Sequence, residues 1–129
     1  MATPFITLTF GRIKEGKRED FERSNKTIVE LVADQEPRVI AFHAFLTEDR
    51  DRFAGLQLHP DTESLVFHMQ VVKDAVEEIS ATLEIEAFKV LGPSNEMIDR
   101  MMKTMSENGI EVEHLPNHTA GFTRSAAAD

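Results

Sequence analysis

The sequence predicts an α+β domain of ferredoxin-like order, β-α-β-β-α-β with an antiparallel sheet, extended at its C-terminal end by one more helix and strand. Three observations predict it. Short apolar runs of period 2 alternate with longer stretches of helical period, in the order strand, helix, two strands, helix, strand. The chain has 129 residues, the size of one domain, which buries roughly two-thirds of its unfolded surface and needs no disulfide or metal for stability. One strand, Val39 to Leu46, is apolar on both faces, so both sides of the sheet need a cover. The single domain spans 1–129, with the ferredoxin-like core over 4–92, the extension over 93–124 and a frayed tail over 125–129.

The first strand covers Phe5 to Phe10, with Ile6, Leu8 and Phe10 on one face and Phe5, Thr7 and Thr9 on the other. A helix follows from about Lys17 to Gln35, with Phe21, Ile28, Leu31 and Val32 on one side at helical spacing. Glu19 and Asp20 lie in its first turn, where the helix dipole favours anions, and Pro37 marks its end. Val39 to Leu46, the charged turn Thr47 to Arg52 and the returning run Phe53 to His59 form an antiparallel hairpin.

Asp61 or Thr62 caps the next helix, whose stripe is Leu65, His68, Met69, Val72 and Val76. A break near Val71 divides it from a second helix that reaches about Leu83, with Ile79 inside. Glu84 to Leu91 is the fourth strand, stopped by Gly92 and Pro93. A Met-rich helix from about Asn95 to Asn108 turns Met97, Ile98, Met101, Met102 and Met105 inward, with Gly109 as its C-cap. Ile110 to Leu115 is a short last strand, broken by Pro116.

Composition excludes more than it proposes. With 14 basic and 23 acidic residues the net charge is −9, which opposes sequence-independent binding to nucleic acid or anionic membrane. Zero Cys removes disulfides, thiolate metal sites and Cys nucleophiles. Trp and Tyr are also absent, which leaves nine Phe as the aromatic carbocycles. Walker A, Gly-x-Gly-x-x-Gly and Gly-x-Ser-x-Gly patterns do not occur. No apolar run approaches the ~20 residues that span a bilayer, and Met1 to Phe5 lacks the pattern of a secretory signal, so the expectation is a cytoplasmic protein. The sheet face turned away from the helices is covered either by the C-terminal helix of the same chain or by a second copy, and the homodimer is the favoured expectation.

Three stretches resemble the antibiotic biosynthesis monooxygenase family of dimeric α+β barrels. They are the passage Ile13 to Phe21 with Gly16, the hairpin Val39 to Leu46 with Phe53 to Leu58, and the run Gln57 to His68. The last is similar to the family's E-V-W … A-L-x-x-H segment, which ends on a helix histidine. Gln57 stands where the family commonly has Glu, His59 where it has Trp, and Arg38 where a Gly is usual; His68 is retained. The resemblance covers roughly residues 4 to 92 and implies a homodimeric α+β barrel, with the helix and strand from Asn95 onward read as an arm across the dimer. It also implies oxygenation without a flavin, metal or other cofactor, because a deprotonated electron-rich substrate itself reduces O₂.

His68 is the candidate catalytic residue. It lies on the apolar stripe of a helix facing the sheet, where a neutral imidazole acts as a base near pH 7. The alternative is a core histidine bonded to a backbone carbonyl. Gln57 and His59 share one strand face two residues apart, and with His68 they would be the polar groups of an apolar pocket for a small ligand bearing one or two oxygens. For His59 the alternative is a strand end half in water. His43 and Phe67 complete the candidate substrate-binding set; His43 lies on the face opposite Phe42, toward either the helices or a dimer interface. His43, His59 and His68 lack the tight spacing of a ligand motif, so no metal site is expected. Two functions compete: a cofactor-independent monooxygenase of an aromatic, quinol or polyketide-like substrate, and a non-catalytic small-molecule-binding or stress-associated dimer. Gln57 in place of Glu favours the second, since it removes a carboxylate that would tune His68.

Overall fold

In a computed structural model that describes residues 3–124, the chain alternates strands and helices. They are β1 (Phe5–Ile13), α1 (Arg18–Gln35), β2 (Ala41–Leu46), β3 (Arg52–His59), α2 (Thr62–Val71), α3 (Lys73–Ser80), β4 (Leu83–Leu91), α4 (Glu96–Glu107) and β5 (Glu111–Leu115). The sheet order is β2-β3-β1-β4-β5, antiparallel except for the parallel pair β4–β5. This is the α+β ferredoxin-like arrangement with a C-terminal helix and strand. The expected tail, 125–129, lies outside the described residues.

Local chemistry accounts for the boundaries. The Asp61 side chain accepts from the Ser64 N–H at 3.0 Å and caps α2, and Asn95 does the same for α4 through the Ile98 N–H. The α2–α3 break falls at Val72, beside the expected position. The second strand begins later than its apolar run predicts. Glu36 and Val39 close a turn through a Val39 N–H to Glu36 carbonyl bond of 3.1 Å, and Val39 packs near α1 and α3 instead of entering the sheet. Register shifts between Phe10 and Gly11 in the β1–β4 pair, and a Cβ at Gly11 would lie 2.4 Å from the Glu84 carbonyl oxygen. Only glycine fits that crossing.

All helices lie on one face of the sheet. Phe5, Leu65, Phe88, Val90 and Ile98 form the largest buried cluster, with Met69, Met101, Met102 and Met105 packed on it. That cluster joins α4 to the helical side, so the extension folds onto its own chain and does not project as an arm. It also leaves the other face of the sheet open. Ile6, Leu8, Phe45, Leu56 and Leu115 alternate onto that face, with Phe45 66% exposed and Leu115 46%. Cover by the chain's own C-terminal helix is therefore excluded. Among the described residues, no helix is long and apolar enough to cross a membrane.

Candidate active site

Sheet alternation decides which side chains meet beneath α1 and α2. The β1–β3 register sets Phe5 opposite His59 and Thr7 opposite Gln57, all on the helical face. From above, α2 lowers His68 between Phe42 and His59, with ring centroids 5.4 and 5.8 Å away. A cavity of about 490 Å³ opens beside it, walled by Phe21, Ile28, Phe42, Leu65, Met69 and Phe88. Thr7 and Gln57 are the polar residues of the wall nearest the His68 ring on the sheet side.

His68 is buried, and its Nδ1–H donates to both carboxylate oxygens of Glu36 at 3.0 Å. The Glu36 side chain is 1% exposed. Burial lowers the His68 pKa below its ordinary value, more than the neighbouring Glu36 charge and hydrogen bond raise it. The ring is therefore neutral near pH 7, protonated at Nδ1, with the Nε2 lone pair free. That Nε2 has no side-chain partner among the described residues and is not fully occluded, so it meets the cavity. The arrangement is a base oriented by a carboxylate.

Glu36 escaped the sequence reading. It follows the last turn of α1 just before Pro37, and nothing in its spacing to His68 signals a pair 32 residues apart. The reading that Gln57 leaves His68 without a carboxylate is corrected, since Glu36 supplies one from a different element.

His59 is fully buried and committed to its neighbours. Gln57 Oε1 lies 3.0 Å from Nε2 and can only accept, so Nε2 carries the proton and Nδ1 accepts from the Ser64 hydroxyl at 2.7 Å. Burial, with the nearby His68, pushes its pKa down to about 4. This ring is a neutral internal strut, not a strand end half in water, and neither nitrogen is free for a ligand. His43 borders the same cavity as His68, but sheet alternation turns its side chain to the open face, where it neighbours the Phe45 ring at 6.2 Å. Phe67 is 48% exposed and lies outside the cavity wall. The three histidines therefore do not converge, and no group of metal-ligating side chains forms among the described residues. Thr7 is a second residue the sequence reading missed. It is 1% exposed, and its Oγ1 lacks any hydrogen-bond partner. A Thr alternating with Phe5 on a buried strand face was the available signal.

Comparison with protein-family models finds no match, and comparison with curated proteins finds none. Solved structures share the fold. MupZ from Pseudomonas fluorescens aligns with a TM-score of 0.73 at 16% identity over 94% of each chain, so the C-terminal extension has a counterpart there. A structure named for an antibiotic biosynthesis monooxygenase from Nitrosomonas europaea aligns at 0.59, with 16% identity over 70% of this chain and 88% of its own. SnoaB, a cofactor-independent oxygenase from Streptomyces nogalater, aligns at 0.61, with 11% identity over 69% of this chain and 91% of its own. The chain thus has the fold of structures that carry the antibiotic biosynthesis monooxygenase name.

Proposed function

We propose that this chain is a cofactor-independent oxygenase of a small, largely apolar aromatic, quinol or polyketide-like substrate, working as a homodimer. The observation that carries the proposal is the buried His68–Glu36 pair, whose free ring nitrogen meets an apolar cavity. Burying a carboxylate against an imidazole is a poor source of stability, so its presence at a cavity is better explained by chemistry. The fold shared with SnoaB supports the reaction class.

In this mechanism His68 Nε2 takes the proton of a phenolic or enolic hydroxyl. Glu36 stabilises the imidazolium that results, since the pair then carries one charge of each sign. The substrate anion is rich enough to give an electron to O₂, and recombination of the radical pair forms a carbon–oxygen bond. The peroxide anion takes the proton back from His68 Nε2, which regenerates the base, and then loses water. One oxygen atom stays as a new carbonyl on what was a CH₂ carbon, and the other leaves in water. The Phe, Leu and Met walls exclude solvent, which keeps the anion reactive.

Oxygen-electrode assays with a panel of quinols and phenolic anthrones test the reading. His68→Ala lowers oxygen uptake by about 10²- to 10⁴-fold, the usual worth of a positioned base. Glu36→Gln lowers it by roughly 10²-fold and moves the pH midpoint down, because the carboxylate raises the His68 pKa. Undiminished uptake in His68→Ala, with the fold intact by circular dichroism, overturns the assignment.

A further inference from the structure

The cavity beside His68 differs in charge from the chain that builds it. The protein carries 23 acidic and 14 basic residues, yet of the described Lys, Arg, Asp and Glu residues Lys73 alone lines the cavity. Glu36 is committed to His68 Nδ1 and is not part of the wall. Helical spacing explains why a lysine is there and the acids are not. Within α3, Lys73, Val76, Ile79 and Ser80 border the cavity, and at about 100° per residue these four share an arc of roughly 120°. Asp74, Glu77 and Glu78 fall on the rest of the helix surface. Met69, one turn before Lys73, extends the lining stripe back into α2.

This stripe is where the cavity meets solvent: α3 has no buried residue, and Val76 is 42% exposed. Lys73 is exposed there too, and it forms no ion pair among the described residues, although Glu77 stands one turn further along. Its ammonium, on a flexible four-carbon stem, is free to turn over the mouth without stripping another charge of its partner. From His68 to Lys73 the helix rises by about 7.5 Å. A ligand that presents a hydroxyl to His68 Nε2 therefore brings its far end, about one fused ring pair away, to the lysine.

We propose that Lys73 is a specificity residue that receives a carboxylate carried by the substrate at the end opposite the hydroxyl that His68 deprotonates. The substrate class narrows to hydroxylated aromatic acids. In a chain of net charge −9, which repels anions as a whole, a local cation at the mouth is what admits such an acid. This anchor rests on the pose of the proposed oxygenase reaction, and goes beyond it by naming a charged group on the substrate.

Fluorescence titration of the full-length protein at low ionic strength with 6-hydroxy-2-naphthoic acid, and separately with its neutral methyl ester, tests it. The wild type binds the ionised acid about tenfold more tightly than the ester, and the ratio shrinks as salt is added. Lys73→Met brings the acid level with the ester. Lys73→Arg keeps the preference, and Lys73→Glu reverses it. A wild type that binds the acid no better than the ester overturns the anchor, as does a Lys73→Met protein whose acid-to-ester ratio is that of the wild type. The two proposals fail separately. Undiminished oxygen uptake in His68→Ala removes the base and leaves the acid-to-ester ratio standing; an unchanged ratio in Lys73→Met removes the anchor and leaves the base.

Discussion

Glu36 and His59 illustrate how much a single side chain depends on what surrounds it. Both are polar, and both are buried at 3% and 0% exposure, yet one orients the His68 ring and the other braces the Gln57 amide. The difference lies in what remains free: His68 keeps an open Nε2, whereas His59 has none. His59 also makes stability depend on pH. Its ordinary pKa of 6.5 falls to about 4 in the folded protein, so between those values the unfolded chain binds more protons than the folded one. Stability is therefore full above pH 6.5 and declines as the pH falls toward 4. A pKa difference of that size bounds the loss at roughly 3 kcal/mol. Urea midpoints measured across this window check it. The wild type declines over that interval more steeply than His59→Gln, and equal slopes would refute the assignment.

At the scale of elements, the β1–β4 crossing and the C-terminal extension show two kinds of constraint. Gly11 sits at a register shift where a side chain would meet the Glu84 carbonyl at 2.4 Å and the Phe53 ring at 2.9 Å. Backbone cannot yield there without opening the sheet. Gly11→Ala is expected to destabilise the protein by at least about 2 kcal/mol, lowering the thermal midpoint by several degrees. An unchanged midpoint would show that the bulge absorbs the methyl group. The extension is constrained in the opposite way, by what it covers. Its Met-rich helix reads as amphipathic from the sequence, and Ile98 is fully buried as that pattern requires. The pattern says that α4 has a buried face but not against which surface. Packing on Phe5, Leu65, Phe88 and Val90 settles that, and it leaves the opposite side of the sheet bare.

For the molecule as a whole, that bare face motivates the proposed dimer. Strands apolar on both sides need two covers, and the helices supply one. Phe45 at 66% exposure, flanked by His43 and facing the same way as Leu56, lies on the uncovered side. A second copy of the same face is self-complementary under two-fold symmetry. Light scattering on the purified protein is expected to report twice the chain mass of 14.6 kDa. Phe45→Arg shifts the population to monomer while the far-UV circular dichroism stays native. A wild-type monomer at micromolar concentration would contradict the two-cover argument.

The sequence by itself determined the order of elements, the start of α4 near Asn95, an α2 cap at Asp61 or Thr62 and the placing of His68 on a helix stripe facing the sheet. These follow from periodicity and capping, which act over a few residues and are written locally in the chain. Gln57 and His59 were likewise legible as neighbours on one strand face, because alternation alone puts them there. Only the tertiary structure decided what each neighbour does. It brought Glu36 to His68 across 32 positions, engaged both nitrogens of His59, set Thr7 beside Gln57 and turned His43 to the other side of the sheet. Charge pairing, burial and hydrogen-bond commitment are properties of contacts between distant segments, and no local spacing encodes them.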